Sequence, residues 1–340
     1  MSESNFNTIV VRDSRINDIS TKLDVVVAKG AAQNNYQHVK ASSASNTTIN
    51  FNVTVPSENT ILDRNVTITC KPTLLITIPP GVPVGSLAMK YGDTEALNQF
   101  PLNSMFNNAT ATINQCNVST NTRDILHILT KMSDDEEFSQ YNYPHMSDKR
   151  FKLYSDMVLS ESNALASFSS AKGKAIPRGA HPIEFSIVKN GGAPVTNLDT
   201  ITNINDALTS TTAQNTDSWE ITLTFESTEP LLYLSPFIYG KNNNNSAGLY
   251  GVKNMDFIFN LDSSAKRVLC SASEHALNVS LVSVGDCYLN VNYLTTQASD
   301  LLASKNVVPY VEYARYLTTS TTDLHPQSST PLTSNAVQLN

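Results

Sequence analysis

The residues of this 340-residue chain that could do chemistry are scattered. The six histidines are widely separated, and they are His38, His127, His145, His181, His275 and His325. None forms an HxH or HExxH pattern or pairs with a cysteine at metal-ligand spacing. His127 lies in a segment with helical spacing (120–132), where it is expected to face solvent or to pack in the core. The histidines therefore predict neither a metal site nor a catalytic base.

An acidic run, SDDEEF (133–138), is the densest group of carboxylates in the sequence. Four acids could collect a hard cation such as Ca²⁺, but successive positions on a helix point in different directions and no D-x-D-x-D-G loop is present. Ser133 and Glu136 have capping-box spacing, which predicts the start of a helix. No GxSxG, P-loop or GxGxxG motif occurs either. We therefore predict that the chain is not an enzyme and binds no cofactor.

The cysteines and the charge balance exclude further classes of protein. Cys70, Cys116, Cys270 and Cys287 lie far apart, in or near apolar runs, and are predicted to be buried free thiols; a disulfide between two of them stays open. The net charge is −7 and no Lys/Arg-rich tail is present, so we expect no strong direct binding of nucleic acid. The nearest basic run, DKRFK (148–152), is expected to be solvated. The start of the chain lacks the pattern of a signal peptide.

Composition and periodicity predict an all-β fold. Charged residues are only 16% of the chain, so Asn, Ser and Thr must supply most of the polar surface, and they favour turns and strand faces. Alternating apolar and polar residues are typical of half-buried strands. They occur at 48–55, 65–78, 109–114, 182–188, 219–225, 255–261, 276–284 and 287–294. In contrast, TNTRDILHILTKM (120–132) has helical spacing. The pattern predicts a sandwich or barrel rather than βαβ units.

Three segments have similar partners later in the chain, in the same order. The pairs are 49–55 with 183–189, 66–79 with 221–236, and 103–114 with 253–262. The second pair shares a strand-like run, a proline and a Leu-Leu pair. This repetition predicts two similar β units. One long irregular β domain is the alternative.

The apolar run PLLYLSPFIYG (230–240) carries two prolines and no charge. A proline at each end predicts a short strand or corner whose ends leave the sheet. Its aromatic residues suit a junction between domains or subunits. The candidate seam residues are Leu231, Leu232, Tyr233, Leu234, Phe237 and Tyr239. A plain hydrophobic corner is the alternative.

Two longer stretches carry a resemblance to a known family. QFPLNSMFNNATATINQCNVSTNTRDILHIL (99–129) resembles a stretch in the first half of double jelly-roll major capsid proteins of icosahedral viruses. STEPLLYLSPFIYG (227–240), followed by GLYGVKNMDFIFNLD (248–262), resembles the corresponding part of a second jelly roll. The resemblance covers about residues 45–318. It lies in the order and pattern of the segments rather than in a short motif.

The resemblance implies two tandem eight-stranded jelly-roll sandwiches with a few short helices. The implied division is an N-terminal arm (1–44), a first jelly roll (45–180), a second jelly roll (181–318) and a flexible C-terminal tail (319–340). The implied function is that of a structural major capsid protein. Three such chains form a pseudo-hexagonal capsomer, and the capsomers tile an icosahedral shell.

The resemblance also implies partners and a location. The chain is expected to bind copies of itself as a homotrimer, neighbouring capsomers and other virion proteins such as a penton, and an internal membrane is compatible with it. Its place is the virion, assembled inside the host cell. Two alternatives are a single jelly-roll capsid protein with a projecting β domain, and a receptor- or carbohydrate-binding module such as a phage fibre tip. An unrecognised hydrolase on a β-sandwich is the least favoured.

Overall fold

The computed structural model describes two stacked β-sheets and two helices. The described residues are 33–57, 60–78, 95–98, 100–132, 183–189, 191–192, 218–231, 234, 236–237, 248–265, 267–271, 278–295 and 313. The acidic run, the basic run 148–152 and the tail 319–340 lie outside them.

Seven of the fourteen described strands follow the alternating segments of the sequence, and the other seven lie outside them. The strands of the first part are β1 (Gln33–Lys40), β2 (Ser43–Ala44), β3 (Thr48–Thr54), β4 (Thr60–Leu62), β5 (Thr67–Ile78), β6 (Glu95–Leu97), β7 (Phe106–Ile113) and β8 (Cys116–Thr120). The helices are α1 (Pro101–Met105) and α2 (Thr122–Met132). The later strands are β9 (Glu184–Lys189), β10 (Trp219–Thr224), β11 (Ser227–Pro230), β12 (Asn254–Leu261), β13 (Leu269–Ser271) and β14 (Asn278–Thr295). The all-β prediction and the helix predicted over 120–132 are confirmed.

The larger sheet has seven strands, and each neighbouring pair is antiparallel. Its order is β1-β14-β5-β10-β9, with β11 also paired to β5 and β4 to β14. The 12-residue β5 and the 18-residue β14 form its centre. The second sheet has five strands in the order β2-β3-β12-β7-β8, also antiparallel. β6 and β13 form a separate pair.

The core fills the space between the two sheets, because every second residue of the long strands points inward. On β3 and β12 the inward positions are fully buried, while the positions between them are partly or fully exposed. Phe259 lies at the centre of an aromatic cluster, with ring centroids 6.0 Å from Phe51 and 4.9 Å from Phe106. Offset and edge contacts of this kind stabilise a core beyond the burial of apolar area.

The two sheets do not divide at residue 180. In the five-stranded sheet, β12 lies between β3 and β7, and in the larger sheet β5 lies between β14 and β10. Both sheets of the described residues therefore contain interleaved strands from 45–180 and from 181–318. The two-unit interpretation of the repetition is wrong for these strands. Two of the similar segment pairs lie side by side, since β5 pairs with β10 and β11, and β7 pairs with β12.

The first Pro–Leu–Leu segment, unlike the run 230–240, lies within one continuous central strand, β5. Pro72 lies inside β5, where its carbonyl accepts the N–H of Phe225 at 3.2 Å. Phe225 lies in the gap between β10, which ends at Thr224, and β11, which begins at Ser227. The neighbouring ladder is interrupted there. The absence of an N–H on Pro72 therefore costs no hydrogen bond of the regular ladder.

Candidate functional site

The predicted seam residues lie partly in the core of the sandwich. Leu231, Leu234 and Phe237 are 3%, 1% and 2% exposed. The Phe237 ring packs 5.1 Å from that of Phe257 on β12. For these three residues the alternative of a hydrophobic corner describes the structure, since their side chains are buried within one chain. Leu232, Tyr233 and Tyr239 lie outside the described residues.

A buried arginine fastens this corner. The Nε of Arg64 donates a hydrogen bond to the carbonyl of Pro236 at 2.6 Å, and the residue is 4% exposed. The N–H of Leu231 donates to the carbonyl of Val66 at 3.2 Å. Burial lowers the pKa of the Arg64 guanidinium. The segment that joins β4 to β5 therefore positions the corner through one side chain and one backbone bond.

A second buried charged group, Glu229, lies at the start of α1. Its Oε1 accepts the N–H of Leu102 and the hydroxyl of Ser227, each at 2.8 Å. Its Oε2 accepts the N–H and the Nδ2 of Asn103, each at 2.8 Å. Phe100 precedes the helix in the left-handed region at φ 52° and forms no side-chain cap. Glu229 from β11 therefore supplies the cap that the local sequence does not.

Burial dominates the electrostatics of Glu229. The side chain is 1% exposed, and burial raises the pKa of its carboxyl against the opposing effect of the four hydrogen bonds from Asn103, Leu102 and Ser227. All four donors belong to the protein itself, so both carboxylate oxygens are engaged. The arrangement stabilises the fold and presents no free carboxylate to a substrate.

A third polar group, Asp262, lies at the other end of α1. Its N–H donates to the carbonyl of Met105 at 2.8 Å, and its Oδ1 accepts the hydroxyl of Ser264 at 2.7 Å. The Nη2 of Arg267 lies 3.6 Å from Oδ2. Burial acts to raise the pKa of Asp262, but the hydrogen bonds from Ser264 and the charges of Arg267 and Arg123 outweigh it and hold that pKa below its usual value.

The outer face of the five-stranded sheet is polar and almost without charge. Its cross-strand rows are hydrogen-bonded by Asn, Ser and Thr, as in Thr110 with Ser119 at 3.1 Å and Asn260 with Asn108 at 2.5 Å. Ile258, 42% exposed, lies opposite Asn50 on β3 and Thr110 on β7. Asn, Ser and Thr, which the sequence predicted to supply the polar surface, therefore form this face of the sheet.

The outer face of the seven-stranded sheet carries a network of side chains around Asn290. Its Oδ1 lies 2.6 Å from the Nδ1 of His38, and its Nδ2 donates to the hydroxyls of Thr67 and Thr69 at 3.0 and 2.9 Å. Asn290 is 5% exposed. The network ties β1 to β14 and β5. His38 therefore has a structural role, as a hydrogen-bond partner of the Asn290 side-chain amide.

The thiols differ from one another in exposure. Cys70 and Cys287 are free and buried, as predicted, and Cys70 lies opposite the bulge of β14 that contains Cys287. The hydrogen bond between the two thiols, in which Cys70 is the donor, and burial raise the pKa of Cys70. Cys116 is free but exposed, so its predicted burial is wrong: it follows the turn between β7 and β8 at the edge of the sheet. The side chain of Cys270 lies outside the described residues.

In the part of the chain that the structure describes, no three His, Cys, Asp or Glu side chains could hold a metal ion together. No helix of that part is long and apolar enough to cross a membrane.

The sequence singled out neither Arg64 nor Glu229. Each is a charged residue beside an apolar strand, and a solvated residue at a strand end has the same pattern in the sequence. The one available signal was the position of Glu229 directly before the apolar run that begins at Pro230.

Comparison with known proteins gives a family match over most of the chain. The family model described as the first domain of the Sputnik virophage major capsid protein matches residues 4–304. A putative capsid protein of Sputnik virophage is 24% identical over 345 residues, which cover 98% of this chain and 52% of that protein. The chain therefore spans about half the length of this curated relative.

Three solved structures are similar to a large part of the chain. A cryo-EM structure of the Sputnik virophage covers 87% of this chain and 55% of the matched one, at 20% identity and a TM-score of 0.49. The mavirus major capsid protein covers 87% and 53%, at 12% identity and a TM-score of 0.45. The Faustovirus major capsid protein covers 83% and 57%, at 9% identity and a TM-score of 0.35.

Proposed function

Since this chain belongs to the family of the first domain of the Sputnik virophage major capsid protein, we propose that it is a structural component of an icosahedral viral capsid. The observation that carries the proposal is the family match over residues 4–304. The chain then acts by binding other copies of itself in the shell of a virion, and it catalyses no reaction.

The fold supports a structural role by physical argument. The described strands form two closely packed sheets whose long central strands, β5 and β14, run the length of the larger sheet. Both ends of α1 are fastened by side chains or backbone of distant strands. A rigid sandwich of this kind keeps its outer faces in fixed positions, which a symmetric assembly requires.

The finer proposal is a capsomer of three chains, as the resemblance to double jelly-roll capsid proteins implies. The described strands make one sandwich, so each chain would contribute at least this sandwich to the capsomer. A closed icosahedral shell also has five-fold vertices, and a separate penton protein is the proposed partner there.

The test is the native mass of the purified protein, measured by light scattering on a sizing column, with negative-stain images of the peak. The expected result is a native mass three times that of the 37.1 kDa chain, or closed shells made of hexagonal units. A monomer at every concentration would overturn the proposal and favour a binding module.

A variant with a weakened core distinguishes shells from aggregates. Phe259→Ala removes a ring from the centre of the core, which destabilises a domain by about 3–5 kcal/mol. If assembly needs the folded sandwich, this variant forms fewer shells than the wild type. Non-specific aggregation of unfolded chains would instead increase.

A further inference from the structure

Strand β1 is an exposed edge of the seven-stranded sheet. It pairs with β14 on one side, and on the other side it has no strand among the described residues. Its sequence QNNYQHVK contains no proline and no acid, and Lys40 is its only lysine. Natural edge strands are usually short, charged, bulged or covered, because a free edge readily pairs with another strand. β1 is eight residues long, has no bulge in its pairing with β14, and carries its one lysine at its last position.

Two backbone bonds show which groups of β1 face outward. The N–H of Ala41 donates to the carbonyl of Cys287 at 3.0 Å, so the residue after β1 bonds to β14. The N–H of Asp63 donates to the carbonyl of Asn292 at 2.9 Å, so Asn292 bonds away from β1. Bonding alternates along an antiparallel pair. The residues whose N–H and C=O groups lie at the free edge are therefore Asn34, Tyr36, His38 and Lys40.

We propose that β1 pairs antiparallel with β1 of a second copy of this chain, about a two-fold axis at Gln37. Tyr36 then lies opposite the partner's His38, and Asn34 opposite the partner's Lys40. The two seven-stranded sheets become one continuous sheet. The proposal rests on the proposed function, in which copies of the chain bind one another, and it supplies a two-fold contact between neighbouring capsomers.

A second copy is the occupant that the proposed function supplies, and in the register about Gln37 the outward-bonding residues meet one another, 36 with 38 and 34 with 40. A two-fold axis perpendicular to the sheet keeps the outer face of both copies on the same side. Tyr36 is 58% exposed, and its ring packs edge-to-face on that of His38, with the ring centroids 5.3 Å apart. The pairing adds the partner's rings to this cluster. The two Lys40 ammonium groups lie at opposite ends of the junction, so no like charges face each other.

β9, at the other end of the strand path among the described residues, is a poorer partner for β1. Each neighbouring pair in the path β1-β14-β5-β10-β9 is antiparallel, so β1 and β9 run in the same direction. Copies related by rotation about an axis along the strands would join β1 to β9 in parallel. Antiparallel pairing is slightly more stable per residue, and two-fold contacts are the commonest in homo-oligomers.

The register is tested by a single cysteine at the axis. In the proposed pair Gln37 faces the partner's Gln37 in a non-hydrogen-bonded position, where Cα atoms lie about 4.5 Å apart. This separation is within the range of about 4.4–6.8 Å that a disulfide spans. Gln37→Cys is therefore expected to cross-link two chains when oxidised glutathione accepts the two electrons and leaves as two thiols. The exposed Cys116 is changed to Ser beforehand in all variants.

Gln33→Cys is the matched control, because it replaces the same residue type on the same strand and the same side. Its opposite position in the proposed register is the partner's Ala41, so it has no cysteine within reach. On a non-reducing gel, Gln37→Cys should give at least tenfold more of a band at twice the 37.1 kDa chain mass than Gln33→Cys. Equal cross-linking of the two variants would overturn the register.

Tyr36→Pro tests the edge without breaking the sheet. Its N–H faces the free edge rather than β14, and proline is tolerated at such positions. Added to Gln37→Cys, it should reduce the cross-linked band at least tenfold while the circular dichroism and the urea midpoint stay at the values of Gln37→Cys. Undiminished cross-linking in this folded variant would overturn the pairing.

The outcomes also separate this proposal from the proposed function. Shells without specific cross-linking of Gln37→Cys would overturn the β1 pairing and leave the capsid role standing. Specific cross-linking in a protein that never forms capsomers or shells would support the pairing and overturn the capsid role.

Discussion

The carboxylates of Glu229 and Asp262, which lie at opposite ends of α1, differ in burial and in nearby charge. Glu229 accepts four hydrogen bonds at the start of the helix and is buried without a cation among the groups that shift its pKa. Asp262, at the other end, is partly exposed and has the guanidinium of Arg267 nearby. The pKa of Glu229 is raised, whereas that of Asp262 is lowered.

This difference shows that hydrogen bonds alone do not set the charge state of a structural carboxylate. Removing an ionised group from water is unfavourable, and four donors do not compensate fully for that loss at Glu229. At Asp262 partial solvation reduces the same penalty, and the nearby cations favour the charged form. Glu229 therefore ties two elements of the core together at an energetic disadvantage that Asp262 does not have.

The largest expected effect comes from truncating Glu229. Glu229→Ala leaves two backbone N–H groups, the Asn103 amide and the Ser227 hydroxyl without their acceptor in a buried site. Each unsatisfied buried group costs about 1–3 kcal/mol, so we expect the free energy of unfolding to fall by at least about 3 kcal/mol. Urea denaturation followed by circular dichroism measures this loss.

Glu184→Ala is the control for that measurement. The Glu184 side chain is 77% exposed, and its ion pair with Lys71 lies on the sheet surface at 3.3 Å. Exposed ion pairs contribute about 0–1 kcal/mol. A loss for Glu184→Ala as large as that for Glu229→Ala would contradict the role given to the buried carboxylate.

Truncating Asp262 is expected to have a smaller effect. Asp262→Ala removes the acceptor of Ser264 and the ion pair with Arg267, but solvent reaches the groups left behind. We expect a loss of about 1–2 kcal/mol in the free energy of unfolding, typical of lost side-chain hydrogen bonds to a partly exposed charged group. The same urea experiment measures it, and a loss greater than that of Glu229→Ala would reverse the comparison.

The pH dependence should have opposite sign at the two sites. A raised pKa means that Glu229 contributes stability below its unfolded pKa and that this contribution is lost as pH rises through its folded pKa. A lowered pKa means that Asp262 contributes stability above its unfolded pKa and that this contribution is lost as pH falls through its folded pKa. Glu229→Gln and Asp262→Asn each replace one titrating carboxyl group by an amide that does not titrate.

Urea midpoints of both variants, measured from about pH 3 to about pH 8, test the signs. Relative to the wild type, Glu229→Gln should be most destabilising at the acidic end, and Asp262→Asn at the neutral end. Parallel curves for the two variants would show that their carboxyls titrate alike, which the opposite pKa directions exclude.

The sequence predicted the strands that alternate, half of those described, because alternation is a local property. The inward positions of β3 and β12, among them Phe51, Phe257 and Phe259, are buried as their spacing indicates. The resemblance to viral major capsid proteins was also correctly identified, as the family match confirms. These inferences depend on neighbouring residues or on the order of segments, both of which are visible in one dimension.

The pairing of the strands was not predicted, because it depends on contacts between residues far apart in the chain. Similar segments were interpreted as equivalent strands of two units, yet β7 and β12 are direct neighbours in one sheet. Two antiparallel neighbours with one buried face have the same alternation, so similarity cannot distinguish a partner from a copy. Glu229 was missed for the same reason: its donors Leu102 and Asn103 are 127 and 126 positions away.

The smallest expected effect isolates the charge of Arg267. Its Nη2 also donates to the Oδ1 of Asn107 at 3.1 Å, so a simple deletion would mix charge with geometry. Arg267→Gln removes the cation, whereas Arg267→Lys keeps it without the planar fork. We expect the pKa of Asp262, followed by carbon-13 NMR, to rise in Arg267→Gln and to stay near the wild-type value in Arg267→Lys. The free energy of unfolding should fall by about 0.5 kcal/mol in Arg267→Gln, since the pair is partly exposed. Equal rises in both variants would mean that the orientation of the guanidinium, rather than its charge, lowers the pKa of Asp262.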